Sequence, residues 1–188
     1  MKRYLSLMLA IIIGAIFILG CTNSSKKEIN PDFEIGTLDY SKLARTSLIH
    51  LQNFEFDKWG ETLSDDVKIY FPNGDYDTRT VIEGKDNVTG WYTDWSKSSG
   101  ISSLKFEQVV FIPVVAKNPL NYSNLTGQLV LVYCSARYLY TDHPEFGIRT
   151  NYAMHFNENN LIDHLYMYYD RTPIIEATYM NVLKTDDK

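Results

Sequence analysis

The chain has 188 residues, which is enough for one domain with its own hydrophobic core. Its 45% hydrophobic and 22% charged residues are ordinary for a globular protein, but its 14% aromatic residues, with fourteen tyrosines, stand out. The formal net charge is −5 and no basic stripe runs along the sequence, which argues against nucleic acid as a partner.

Residues 1–20 are predicted to be a bacterial lipoprotein signal peptide. A short positive region, Lys2 and Arg3, precedes an uncharged stretch over 4–20. That stretch is slightly longer than the apolar part of a usual signal peptide and slightly short for a spanning helix. It ends in "ILGC", which resembles the lipobox of bacterial lipoproteins and implies cleavage just before Cys21 and lipidation of that cysteine. The alternatives are an uncleaved signal anchor and an ordinary secretory signal.

Residues 21–35 are predicted to be the lipidated cysteine and a flexible tether, because "TNSSKKEINPD" shows no apolar periodicity. Two or three acyl chains anchor a protein durably, so the expected location is the bacterial cell envelope, with the membrane as a partner. Cys21 is followed by Thr22 and not by Asp. If the cell has two membranes, this resembles the pattern of lipoproteins that are sorted to the outer membrane. The other cysteine, Cys134, lacks a disulfide partner and is predicted to be buried in a strand.

Residues 36–188 are predicted to form one α+β domain that begins with helices. Leucines at helical intervals predict a helix over 39–53. "FDKWGETLS" predicts a second, short helix with Asp57 as its cap and Trp59 facing inward. Large apolar side chains at three- and four-residue spacing predict a third helix over 85–100.

The remaining segments show the two-residue period of strands. "DDVKIYFP" alternates before an Asn-Gly turn, and the short extended piece "TRTVIEG" follows. Four long strands joined by hairpins are then predicted over 103–116, 127–141, 148–157 and 161–170. A closing helix is predicted near the carboxyl terminus. Helices followed by consecutive antiparallel strands are typical of a curved sheet wrapped around helices.

Three segments, in this order and spacing, resemble the SnoaL-like branch of the NTF2-like superfamily: "FDKWGETLSDDVKIYFP" (56–72), "VIEGKDNVTGWY" (81–92) and "FNENNLIDHLYMYYD" (156–170). The resemblance implies a cone-shaped fold in which a strongly curved antiparallel sheet and the N-terminal helices enclose one pocket. It also implies a possible homodimer through the outer face of the sheet. Members include cyclases, isomerases, dehydratases, epoxide hydrolases and non-catalytic binding domains, so the fold leaves the chemistry open.

The last strand bears on catalysis. In the cyclase-type members this strand carries a catalytic Asp, and alignment on Ile162 places Met167 at that position here. Methionine cannot transfer a proton, so the resemblance gives no support for cyclase chemistry. Asp163 shares the predicted face of Met167 and is the remaining candidate acid. His155 is predicted to lie opposite Asp163 across the hairpin turn, as a structural pair or as a catalytic dyad.

Six side chains are predicted to line the pocket: Trp59, Tyr70, Trp91, Trp95, Tyr133 and Met167. The four histidines show no metal-ligand spacing, so neither a metal nor a cofactor is predicted. The first hypothesis is a membrane-anchored, non-catalytic module that binds a small apolar molecule or an envelope partner. The second is a proton-transfer enzyme, an isomerase, dehydratase or cyclase, acting on a small hydrophobic substrate. The two differ in whether a carboxylate or imidazole points into the pocket.

Overall fold

The structure, a computed structural model, describes residues 32–121, 123–179, 181 and 183. The predicted signal peptide, Cys21 and residues 22–31 of the predicted tether lie outside the described residues. The described part contains helices α1 (Leu38–Gln52), α2 (Phe56–Gly60), α3 (Lys85–Ser98) and α4 (Thr172–Thr178). Its strands are β1 (Phe33–Ile35), β2 (Leu63–Tyr70), β3 (Val81–Glu83), β4 (Ile101–Ala116), β5 (Gly127–Tyr140), β6 (Phe146–Phe156) and β7 (Ile162–Tyr169).

The strands form one curled, open sheet in the order β1-β4-β5-β6-β7-β2-β3. Strands β4 to β7 pair antiparallel with their neighbours, as the hairpin pattern predicts. β2 pairs in parallel with β7, so the sheet is mixed and not wholly antiparallel as expected. A parallel pair needs a long crossover connection, and the chain from β3 to β6 supplies it.

Alternation along the strands separates the sheet into an inner face, which packs on the helices, and an outer face. Every second residue of β5 from Val130 to Tyr140 is buried. Ala44 of α1 and Val88 of α3 belong to the same hydrophobic cluster as these strand residues. Cys134 is fully buried in this row, as predicted, with its Sγ 2.9 Å from the Thr150 hydroxyl. The inner face therefore supplies one wall of the core.

Trp59 ties the short helix α2 to α1. Its indole Nε1–H donates a hydrogen bond of 3.0 Å to the Ser47 hydroxyl, and its ring packs edge-on against Tyr92 with 4.8 Å between ring centroids. The side chain is only 1% exposed. Its inward orientation is as predicted, and it is a core residue.

Two predictions about local structure differ from the structure. Asp57 does not cap α2: it lies inside the first turn, and Glu55 occupies the N-cap position. Phe33–Ile35, assigned to the end of the tether, form β1 and pair with residues 114–116 of β4. A three-residue strand carries little periodicity, and the long neighbouring strand determines its pairing.

Within the part of the chain that the structure describes, no helix has both the length and the apolarity needed to cross a bilayer. The predicted homodimer through the outer face stays a prediction.

Replacing Trp59 by Phe tests its role in the core. The variant Trp59→Phe loses the hydrogen bond to Ser47 and part of the ring volume, so the free energy of unfolding should fall by about 1–3 kcal/mol. Chemical denaturation followed by circular dichroism measures this loss. Trp95→Phe is the matched control, because Trp95 is half-buried and should give a smaller loss. Equal losses in both variants would contradict the core assignment of Trp59.

Candidate ligand-binding pocket

A partly enclosed pocket lies between the inner face of the sheet and helices α3 and α4. Its cavity volume is about 60 Å³, which is room for roughly four water molecules. Its aromatic lining residues are Phe71, Trp91, Tyr92, Trp95, Phe106, Tyr138, Tyr140, Tyr152 and Tyr169. The other lining residues are Leu51, Leu104, Met167, Arg171, Ile174, Ile175 and Leu183.

Helix α3 supplies one aromatic wall because residues four apart lie on the same face of a helix. The rings of Trp91 and Trp95 are parallel, with 6.4 Å between their centroids, and Tyr92 meets Trp91 edge-on at 4.9 Å. Helix α4 covers another side with Ile174 and Ile175. None of the residues of α4 is fully buried, so this side of the pocket is the less tightly packed one.

The polar atoms of the pocket are mainly tyrosine hydroxyls. The Tyr92 hydroxyl donates to the Met167 sulfur at 3.6 Å. The Tyr140 hydroxyl is buried and makes no hydrogen bond of good geometry with the described residues, although it interacts with the Trp95 side chain. A buried polar atom without a hydrogen bond of good geometry is uncommon in native proteins. Tyr140 is therefore the group most suited to hydrogen-bond a polar atom of a bound molecule.

These tyrosines are not bases at neutral pH. Burial raises the pKa of Tyr169 to about 12. Burial likewise raises the pKa values of four other lining tyrosines, Tyr92, Tyr138, Tyr140 and Tyr152. All of these hydroxyls are therefore protonated near pH 7, and they act as neutral hydrogen-bonding groups.

The described lining contains no carboxylate and no imidazole. Arg171 is the charged group of this lining, and its guanidinium donates a hydrogen bond to the Asn181 side chain. A proton-transfer reaction needs an acid or base within hydrogen-bond reach of the substrate, and the described lining offers none that titrates near neutral pH.

Asp163 and His155 lie on the outer face of the sheet, away from the pocket. The register between β6 and β7 shifts between the pairs His155–His164 and Phe156–Ile162. Asp163 is the extra residue of this β-bulge. Ile162 and Leu165 are therefore both buried although they are three positions apart. Uninterrupted alternation predicted that Asp163 lies on the same face as Met167. Because of the bulge, Asp163 lies on the opposite, outer face.

The predicted pairing of His155 with Asp163 is confirmed. His155 Nδ1 lies 2.5 Å from Asp163 Oδ1, and His155 Nε2 lies 2.8 Å from the Thr126 carbonyl oxygen. Burial alone would lower the pKa of His155, but the hydrogen bonds to Asp163 and Thr126 outweigh it and raise the pKa. Burial would raise the pKa of Asp163, but the hydrogen bonds from His155 and His164 hold it well below its usual value. This pair joins the β6–β7 hairpin to the loop before β5.

Three solved structures show the fold to which this arrangement corresponds. An NTF2-like protein from Burkholderia xenovorans LB400 has a TM-score of 0.55 and 14% identity, over 77% of this chain and 99% of that one. A candidate polyketide cyclase from Xanthomonas campestris has a TM-score of 0.56 and 11% identity, over 74% and 96%. An LEH-like epoxide hydrolase from M. tuberculosis has a TM-score of 0.51 and 14% identity, over 76% and 91%.

The chain has the NTF2-like fold. The fold that the sequence resemblance implied is therefore confirmed. Identities this low establish the fold and not the activity. In sequence, neither a family model nor a curated protein matches this chain.

The structure places three of the six predicted lining residues at the pocket and three elsewhere. Trp91, Trp95 and Met167 line it, as predicted. Trp59 does not, since it is buried in the core below. Tyr70 and Tyr133 do not, because they alternate with buried neighbours and so lie on the outer face, where Tyr133 is 45% exposed. The alternation that is visible in the sequence was the signal that could have excluded both.

Other lining residues of the NTF2-like pocket were missed. Tyr138 and Tyr140 continue the row of Val130 and Val132 at two-residue intervals, and this period could have revealed them. Arg171 and the residues of α4 carry no such signal, because a short helix after the last strand can pack in several ways. Their position depends on tertiary contacts.

The His155–Asp163 pair predicts a pH window of stability. A carboxylate with a lowered pKa stabilises the fold above its unfolded pKa, about 3.9, and this contribution is lost as the pH falls. A histidine with a raised pKa stabilises the fold below about 6.5, and this contribution is lost as the pH rises. The variant Asp163→Asn should therefore lose about 1.5–3 kcal/mol of unfolding free energy between these pH values, and less above and below them.

Urea denaturation of both proteins at a series of pH values measures the difference. Asp142→Asn is the matched control, because Asp142 is an exposed loop residue with a left-handed φ of 65° that Asn also tolerates. A loss in Asp163→Asn that is independent of pH would contradict a charged pair.

Proposed function

We propose that this protein is a lipid-anchored, non-catalytic module of the bacterial cell envelope that binds a small apolar molecule. The observation that carries the proposal is the pocket lining: the described residues form an aromatic cavity without a carboxylate or imidazole. Mostly apolar pockets with a few placed polar groups are typical of small-molecule sites.

The lining defines the class of ligand. The parallel indoles of Trp91 and Trp95 favour a flat, apolar body, because aromatic rings prefer offset or edge-on contacts with one another. The buried Tyr140 hydroxyl, which makes no hydrogen bond of good geometry, favours one hydrogen-bonding atom on that body. The space of about 60 Å³ is smaller than the roughly 150 Å³ of an apolar cavity that binds benzene, so a ring-sized ligand requires α4 to move.

The alternative, a proton-transfer enzyme, has less support. Its candidate groups, Asp163 and His155, bond to each other on the outer face and are separated from the pocket by the sheet itself. The tyrosines in the pocket are protonated at neutral pH and therefore cannot act as bases. Met167 lines the pocket where the resemblance places a catalytic Asp in the cyclase-type members.

The proposal of a lipid anchor rests on the sequence "ILGC" and on the net charge of the protein. A protein with a net charge of −5 has no electrostatic attraction to anionic lipid. Its residence at a membrane therefore requires an anchor, and Cys21 is the residue proposed to carry one as acyl chains.

Ligand binding is tested with a panel of small ring compounds, each carrying one hydrogen-bond acceptor. We expect one or more to raise the melting temperature of the full chain and to quench tryptophan fluorescence, since Trp91 and Trp95 line the site. Tyr140→Phe removes the hydroxyl and keeps the ring, so it should weaken binding by about 3–10-fold. Tyr133→Phe, on the outer face, is the matched control and should change nothing.

Two results would contradict this proposal. One is a panel without any binder. The other is equal weakening by Tyr140→Phe and Tyr133→Phe, which would place the ligand outside the pocket.

The anchor is tested with Cys21→Ser. We expect this variant to leave the membrane fraction or to remain unprocessed, and to lose metabolic labelling by a palmitate analogue, because the acceptor sulfur is gone. Cys134→Ala is the control: it removes the buried cysteine and should keep the label. A wild-type chain that takes up no label would overturn the lipidation proposal.

A further inference from the structure

Three side chains with metal-ligand atoms converge on the outer face of the sheet at the β6–β7 hairpin. His155, Asp163 and His164 each bring one donor atom to a common point, and these atoms lie within 4.8 Å of one another. The bulge creates the cluster, because it lets the consecutive residues Asp163 and His164 both face His155. The pocket proposed above lies on the other face.

We propose that this cluster binds one Zn²⁺ ion through His155 Nδ1, Asp163 Oδ1 and His164 Nδ1. Two imidazole nitrogens with one carboxylate oxygen form a donor set that zinc accepts, whereas calcium and magnesium prefer oxygen ligands alone. Three protein ligands leave a fourth position for water or for a small ligand.

His155 has the orientation of a metal ligand. Its Nε2 is 2.8 Å from the Thr126 carbonyl oxygen, so Nε2 carries the hydrogen and donates it. Metal-binding histidines almost always donate their second ring N–H to a carbonyl or a carboxylate in this way. The other nitrogen, Nδ1, then faces Asp163 at 2.5 Å. Without a metal, a proton must lie between these two atoms, and zinc binding displaces it.

His164 supplies an independent observation. Its Nδ1 is buried and lies 3.2 Å from Asp163 Oδ1, the same oxygen that His155 Nδ1 contacts. The imidazole ring is held by stacking against Tyr70, with 6.1 Å between centroids and 11° between ring planes. The two imidazole nitrogens therefore both face Asp163 Oδ1, so one metal ion at the centre of the cluster could contact all three donor atoms.

The distances allow a tetrahedral site after small side-chain rotations. Ligands about 2.1 Å from zinc lie about 3.4 Å from each other. The 3.2 Å between His164 and Asp163 fits this value. The 2.5 Å between His155 and Asp163 must open by about 1 Å. The side chains of Asp163 and His164 are 18% and 23% exposed, so an ion can reach them from solvent.

The test is a titration of the purified full chain in detergent, stripped with a chelator, with Zn²⁺ in competition with a chromophoric indicator. We expect one ion per chain. His164→Gln and Asp163→Asn should each weaken the affinity by at least the 10–100-fold that loss of a supporting group costs. His143→Gln is the matched control, because His143 lies in the β5–β6 turn outside the cluster, and it should leave the affinity unchanged.

Co²⁺ bound to the unmodified chain gives a second readout that does not depend on the folding of a variant. Intense visible absorption of four- or five-coordinate Co²⁺ supports the site. Three results would overturn the proposal: no saturable Zn²⁺ binding, the same affinity in folded His164→Gln as in the unmodified chain, or the weak spectrum of six-coordinate aqueous Co²⁺.

Discussion

The alternation of side chains along β5, β6 and β7 determines which groups meet on each face of the sheet. Each residue from Val130 to Tyr140 that points inward is buried, and its neighbours point outward. The inward-facing residues Tyr138 and Tyr140 of β5 and Met167 of β7 line the pocket together with the indoles of α3. Where alternation breaks, at Asp163, the ionisable side chain is carried to the outer face.

This separation has a chemical consequence. The described pocket lining holds neutral tyrosines and one arginine, while the carboxylate and two imidazoles gather on the far side of the sheet. Burial keeps the tyrosine hydroxyls protonated, so they can orient a ligand but cannot take a proton from it. This lining is the basis of the proposal that the pocket binds a ligand without transferring protons. The outer cluster brings one carboxylate and two imidazoles together.

Local periodicity explains what the sequence could predict. The helices α1 and α3 and the long strands follow their hydrophobic periods closely. The family resemblance predicted that Trp91, Trp95 and Met167 line the pocket, and the structure has them there. The same period excludes Tyr133, which lies between two buried residues. Using the alternation alone would have improved the predicted lining.

The errors come from how the strands pair with one another. The bulge at Asp163 depends on how β7 pairs with β6, and the sequence of β7 alone does not predict it. The parallel pairing of β2 with β7 joins residues almost a hundred positions apart, as in Ile69 with Leu165. The convergence of His155 with His164, which lie in one hairpin, follows from that bulge. Fold class was therefore predictable here, whereas the face on which the acids lie was not.

A crystal structure of the protein under xenon pressure, or soaked with a small ring compound, tests the central claim most directly. Apolar cavities stay dry and bind xenon or small rings, whereas polar ones hold ordered water. The account predicts density for the apolar probe beside Trp91, Trp95 and Tyr140. A pocket that holds a chain of ordered waters, with the probe bound elsewhere or not at all, would contradict it.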